Sequence, residues 1–200
     1  VGNGIGQPGD ALVIAQRARE LGFGTSVGVI HDASGQMVPL DPERQRVHAT
    51  ISQLGRGFYS HAHDHVFQKN LIAGRANEWR CRAGARYLYI CEDGLVHWCS
   101  QQRGTPAIPL AHYGPADLER EYQSEKSCAP HCTVSCVHRV SVLDDLRETP
   151  IETVRRLASG SGDTTSVPPA SIRLLTWLFL TSRHHDTFRR LASRAFRLAR

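Results

Sequence analysis

At 200 residues, with 40% apolar and 22% charged side chains, the chain has an ordinary globular composition and enough length for one sizeable core or two small ones. No apolar run approaches the roughly 20 residues that a membrane-spanning helix needs, and the longest candidate, 172–180, is far too short. The net charge of +5 is not evenly spread: nine arginines against three acids put residues 151–200 at +6 and residues 1–150 at −1. The basic character therefore belongs to the tail and says nothing about the centre of the chain.

The opening "VGNGIGQPGD" carries none of the basic and apolar regions of a secretory signal. We read the chain as a piece or processed form of a longer protein, and expect it in the cytoplasm. "GNGIG" (2–6) is glycine-rich, but no strand precedes it, so a phosphate-cradling loop is not supported. Residues 9–22 read as an amphipathic helix, with Asp10 as N-cap, Leu12, Ala15, Ala18 and Leu21 on one face, and Gly22 closing it. "TSVGVIHD" (25–32) has the β-branched run of a buried parallel strand. Helix followed by strand suggests one step of an α/β domain. A second helix is expected over 42–54, where Val47, Ile51 and Leu54 share a face. Another is expected within 60–76, ending near Gly74.

A hairpin follows: "ARYLYI" (85–90) and "LVHWC" (95–99) flank Asp93-Gly94, the strongest short-range turn signal in the chain. Residues 115–126 read as a helix. The stretch from Val142 to Ala158 reads as helical with a break at Pro150. "SGSGDTTSVPPAS" (159–171) has the composition of a linker. Beyond it, 172–200 reads as a basic helical tail, with Leu174, Leu175, Trp177, Leu178 and Phe179 needing burial. Docking of this tail on the domain or on a partner is expected over contact with a membrane surface, and nucleic acid is not expected as a partner.

The chemistry lies in the cysteines. Cys81, Cys91 and Cys99 form one group, and Cys128, Cys132 and Cys136 another, spaced C-x3-C-x3-C. Clustered cysteines without a secretory context point to metal rather than disulfides. The stretch 81–99 is C-x12-G-x4-C, with Gly94 in the turn. The hairpin returns Cys99 toward Cys81, and two soft thiolates joined by others from a downstream loop suit zinc or an iron–sulfur cluster. Zinc knuckles usually place two ligands two to four residues apart in each half, which favours the cluster. His97, His131 and His138 are the nearby imidazoles that a zinc site would draw on.

The C-x12-G-x4-C hairpin followed by a cysteine-rich loop resembles the auxiliary-cluster extension of radical S-adenosylmethionine enzymes, called SPASM in its long form and twitch in its short form. Cys81, Gly94 and Cys99 match the first half of that pattern, and Cys128, Cys132 and Cys136 are too few for two clusters, as in the twitch form. The resemblance spans about residues 9–145. It implies an α/β arrangement: the end of a partial β/α barrel (1–76), a small α+β cluster module containing the hairpin (77–145), a helix (146–158), the linker (159–171) and the helical tail (172–200). It implies one [4Fe–4S] cluster held by Cys81 and Cys99 and by two of Cys128, Cys132 and Cys136. The C-x3-C-x2-C loop that cleaves S-adenosylmethionine is absent from these residues. The resemblance therefore makes this chain the accessory part of an oxidoreductase, inactive alone. Its implied partners are an N-terminal part of the same polypeptide, which would hold most of the S-adenosylmethionine, and a peptide or small-molecule substrate. The cluster would relay electrons or anchor substrate. Two alternatives stand beside it: a structural zinc-binding interaction module, and an iron–sulfur module without radical chemistry.

Two weaker signals remain. Cys91 has no place in the pattern and is expected to be a buried, inert thiol. "HAHDH" (61–65) is expected to be a solvated helix start rather than a metal site, since the spacing fans the three histidines apart on a helix. His31 and Asp32 follow the expected strand, where a barrel would present them to substrate or use them as a polar cap.

Overall fold

A computed structural model describes residues 6–30, 37–55, 57–159 and 167–181 and the pairs 186–187, 190–191 and 194–195. His31 and Asp32, most of the glycine-rich start, the centre of the linker and nearly half of the basic tail lie outside these residues.

Helix α1 spans Pro8–Glu20. It starts on Pro8 rather than on an Asp10 cap, because proline at the first turn is preset in φ and lacks only an N–H that would be unpaired anyway. Helix α2 spans Pro42–Leu54, as the apolar spacing predicts, and Asp41 caps it by accepting the Arg44 N–H at 2.9 Å. Ala15, Val47 and Ile51 form a small core between the two helices, together with Val27. The segment expected as a strand has Val27 and Val29 buried and Ile30 exposed, yet it ladders with no other strand among the described residues. A side chain stands in for the neighbour: the Val29 N–H donates to Gln68 Oε1 at 2.5 Å.

The next helix begins as α3, Phe58–His61, widens into a π-helix over Ala62–Gln68, and finishes as α4, Lys69–Ile72. In the π-helix, with its i→i+5 hydrogen bonds, His63 and Gln68 both face Gly28. This overturns the expectation of a solvated start: His61, His63 and Asp64 are each at most 5% exposed.

The largest core joins Val66 and Phe67 of the π-helix to three further helices: α6, Ser135–Glu148, α7, Pro150–Ser159, and α8, Ala170–Thr176. Pro150 separates α6 from α7, as its missing N–H requires. Ile172 and, in the π-turn Trp177–Thr181, Phe179 are buried in this core. The start of the tail is therefore part of the domain's packing, and the linker-like segment joins two pieces of one core.

The cysteine-bearing half holds a three-stranded antiparallel meander. Strand β1, Tyr89–Ile90, pairs with β2, Leu95–His97, which pairs with β3, Pro106–Pro109. Gly94 takes φ +69 in the turn, and Asp93 Oδ1 accepts the Leu95 N–H at 2.9 Å. β1 is shorter than the expected 85–90 because residues 82–87 fold into a knuckle, with Arg86 N–H donating to Arg82 O and Gly84 N–H to Tyr87 O, both at 2.8 Å. β3 was not anticipated: prolines at both its ends hide it from a sequence reading, although proline is tolerated on an edge strand. Helix α5, Pro115–Gln123, then packs against the knuckle.

Gly84 fixes that contact. Its φ is +83, and a Cβ there would lie 2.9 Å from Glu121 Cγ and 3.1 Å from Trp98 Cδ1. Gly84→Ala combines left-handed backbone strain with overpacking, so it should cost about 2–4 kcal/mol of stability. Urea unfolding would show this, and an unchanged midpoint would mean that α5 does not press on the knuckle.

Candidate metal centre

Three contacts bring the two cysteine groups together. Trp79 Nε1 donates to Ala129 O at 2.7 Å, and the Asn77 N–H donates to Pro130 O at 2.8 Å. On the hairpin side, Gln101 Nε2 donates to Thr133 Oγ1 at 2.9 Å. Cys81 enters the knuckle, Cys99 leaves β2, and Cys128 and Cys132 bracket a single 3-10 turn, Ala129–His131. Arg82 locks the frame from beneath. Its side chain is fully buried, donating to Tyr122 O and to Glu148 Oε2, both at 2.7 Å, with its guanidinium 3.9 Å from the Tyr122 ring.

The result is a pocket of four thiols. Cys81, Cys99 and Cys132 are buried and Cys128 half-buried, and none is in a disulfide. Burial pushes the Cys81 thiol up to about 11, with its Cys128 and Cys99 neighbours adding to the rise. Burial likewise drives Cys132 to about 12, and Cys81, Cys99 and Cys128 all act on it. Cys128 is raised by burial and then by Cys99. Such mutual repulsion is relieved when a cation replaces the protons. The pocket also offers N–H donors to sulfur: Val134 N–H to Cys132 Sγ at 3.4 Å, and the Ala83 N–H to Cys81. Cys136 stands on the first turn of α6 and is exposed.

The histidines do not join the thiols. His138 is buried, stacked on Phe67 with ring centroids 4.0 Å apart, and His131 is exposed. His97 is held at both ends: Nδ1 accepts the Gly104 N–H at 3.0 Å, and Nε2 faces Asp93 Oδ2 at 3.1 Å.

The sequence reading missed a second donor group. Cys91, Asp93 and His97 place one ligand atom each within 4.8 Å of one another. Cys91 is half-exposed, contrary to the expected burial. This trio reads as a hydrogen-bonded turn rather than a metal site. Because His97 Nδ1 accepts from a backbone N–H, the ring's proton sits on Nε2, where a metal would have to bind.

A further buried polar group surrounds the π-helix. Burial raises the Asp64 carboxyl to about 7, against the pull of Arg139, and neither oxygen has a hydrogen-bond partner. Its Oδ1 lies 4.0 Å from His63 Nε2. Burial lowers His48 and His63 to about 4 and His138 to about 3. The period of "HAHDH" gave no hint of this, because a π-turn breaks the 3.6-residue pattern that burial arguments use.

No protein-family model, curated protein or solved structure matches this chain. Among the described residues, no helix is long and apolar enough to cross a membrane.

Proposed function

We propose that this chain is the C-terminal accessory part of a radical S-adenosylmethionine enzyme and holds one auxiliary [4Fe–4S] cluster. The observation that carries the reading is the convergence of Cys81, Cys99, Cys128 and Cys132, from two groups far apart in sequence, into one buried pocket. Four thiolates with N–H donors to sulfur are the donor set such a cluster takes, and hydrogen bonds and burial of this kind tune its potential. When bound, the cluster supplies one-electron chemistry or an iron site for substrate. The chain's own part is to hold the four sulfurs, exclude water with Trp79, Trp98 and Val137, and aim N–H groups at the sulfurs.

The wide spacing of Cys81 and Cys99 favours this reading over zinc, whose knuckles usually hold two ligands two to four residues apart in each half.

The barrel remnant is part of the proposal. The unladdered segment at 24–30 and the exposed side chains of Val13, Ile14, Phe23 and Ile30 are what a strand edge and helix face look like when a covering layer is supplied by an N-terminal part of the same polypeptide. That part would carry the radical-initiating loop and most of the S-adenosylmethionine site.

Anaerobic purification and reconstitution test the cluster: a brown protein with about four iron per chain is expected. Colourless protein with stoichiometric zinc would point instead to a structural zinc module. The coding sequence upstream of Val1 tests the parent enzyme. If it encodes no C-x3-C-x2-C loop, the reading reduces to an iron–sulfur module without radical chemistry.

A further inference from the structure

The packing of α8 uses only one face of the tail. Ile172 and Phe179, seven residues apart, share a side of the helix and are buried in the main core. Leu174 and Trp177 fall on the opposite side and are each more than half exposed, with Arg173 exposed beside them. The two anchors fix the rotation of the helix, so the fold itself holds this pair outward. Farther along, Arg190, Leu191, Arg194 and Ala195 are helical and exposed. There the spacing of Phe188, Leu191, Ala195 and Ala199 forms an apolar stripe among arginines.

Charge names the occupant. Residues 172–200 hold seven arginines and one acid, Asp186, and no acid stands between Asp163 and Asp186. An exposed indole and leucines among arginines have the amphipathy that partitions into the headgroup layer of an anionic bilayer. The apolar tips enter the acyl boundary while the guanidinium groups meet lipid phosphates. A protein partner fits less well. Three separated apolar side chains, Leu174, Trp177 and Leu191, supply little of the roughly 800 Å² per side that a stable protein interface buries. A bilayer asks for no matching shape.

We propose that the tail, led by Leu174 and Trp177, is a docking site for an anionic phospholipid surface. The tail lies on that surface rather than crossing it, since no helix among the described residues is long and apolar enough to span a membrane. The proposal is independent of what the thiol pocket holds.

Co-sedimentation of the full chain with phosphatidylcholine vesicles, with and without phosphatidylserine, tests it. Binding should be at least about tenfold tighter with phosphatidylserine and should weaken as salt rises. Leu174→Ser/Trp177→Ser should lower affinity for the charged vesicles about tenfold while leaving the urea midpoint near wild type, since neither side chain belongs to the core. Should that variant lose stability, Arg190→Gln/Arg194→Gln, at exposed positions, carries the comparison and should bind severalfold more weakly. Equal affinity for both kinds of vesicle, or wild-type affinity in either folded variant, overturns the proposal. So does wild-type protein that binds polyglutamate or duplex DNA as tightly as charged vesicles, which would make the tail a general polyanion site.

Discussion

Replacing Cys132 with serine should abolish stable iron binding, whereas the same change at Cys136 should leave iron content at the wild-type level. The two residues are four apart in a repeating C-x3-C-x3-C run and look equivalent in sequence. The fold separates them. Cys132 closes the 3-10 turn with its sulfur buried, accepts the Val134 N–H and feels Cys81, Cys99 and Cys128. Cys136 begins α6 and faces outward. Serine is nearly isosteric but a poor ligand for iron, so the substitution removes the ligand and not the packing. Cys81, Cys99 and Cys128 should behave like Cys132. Iron per chain and the visible absorbance after anaerobic reconstitution read the series. Equal losses at Cys132 and Cys136 would mean that the first turn of α6 rearranges to bring the third thiol inward.

The second large effect concerns stability. Asp64→Asn should make the protein more stable than wild type at alkaline pH and much less distinguishable from it in acid. Burial raises the Asp64 carboxyl from 3.8 to about 7. Folded protein therefore keeps a proton that the unfolded chain has already released. A group with a raised folded pKa contributes fully below the unfolded value, and that contribution is lost as pH rises through the folded one. The loss runs from about pH 4 to pH 7 at about 1.4 kcal/mol per unit, reaching roughly 4 kcal/mol. Asparagine is neutral throughout and escapes it, so its advantage should be about 1.5 kcal/mol near pH 5 and about 4 kcal/mol near pH 8. His48, His63 and His138 work in the opposite direction. Their lowered values favour the fold above about pH 6.5, and that contribution is lost as pH falls toward 4, or toward 3 for His138. Both proteins carry these histidines, so they largely cancel in the comparison. Urea midpoints at the two pH values decide it, and a pH-independent difference would show that Asp64 is already charged in the fold.

Some of this architecture was legible in the residues. Helix α2 begins and ends where Pro42 and the Val47–Ile51–Leu54 spacing put it. Pro150 divides α6 from α7 because proline cannot continue the ladder. The Asp93-Gly94 turn produced the hairpin, since Gly94 supplies the positive φ that the turn demands. These are local features, each fixed by steric rules within a few residues. The convergence of Cys81 and Cys99 was also readable, because a hairpin returns the chain over a known distance.

What the sequence did not reveal depends on long-range contacts. The knuckle at 82–87 shortens β1 because Arg82 is drawn down to Tyr122 and Glu148, partners 40 and 66 residues away. The π-turn that buries Asp64 is matched to Gly28 and Val29 on a distant segment. The segment at 25–30 has the pattern of a strand, but a strand also needs a neighbour, and pattern alone does not supply one.

By itself, then, the sequence placed one cysteine group along a tight hairpin and a second one downstream of it in a chain of globular composition. Only the tertiary structure decided which three of the six thiols are buried, that Cys128 stands beside them and that Cys136 faces solvent. The reason is physical: residue spacing fixes which side chains are neighbours along a turn, whereas burial and charge at a site are set by whatever distant segments pack over it.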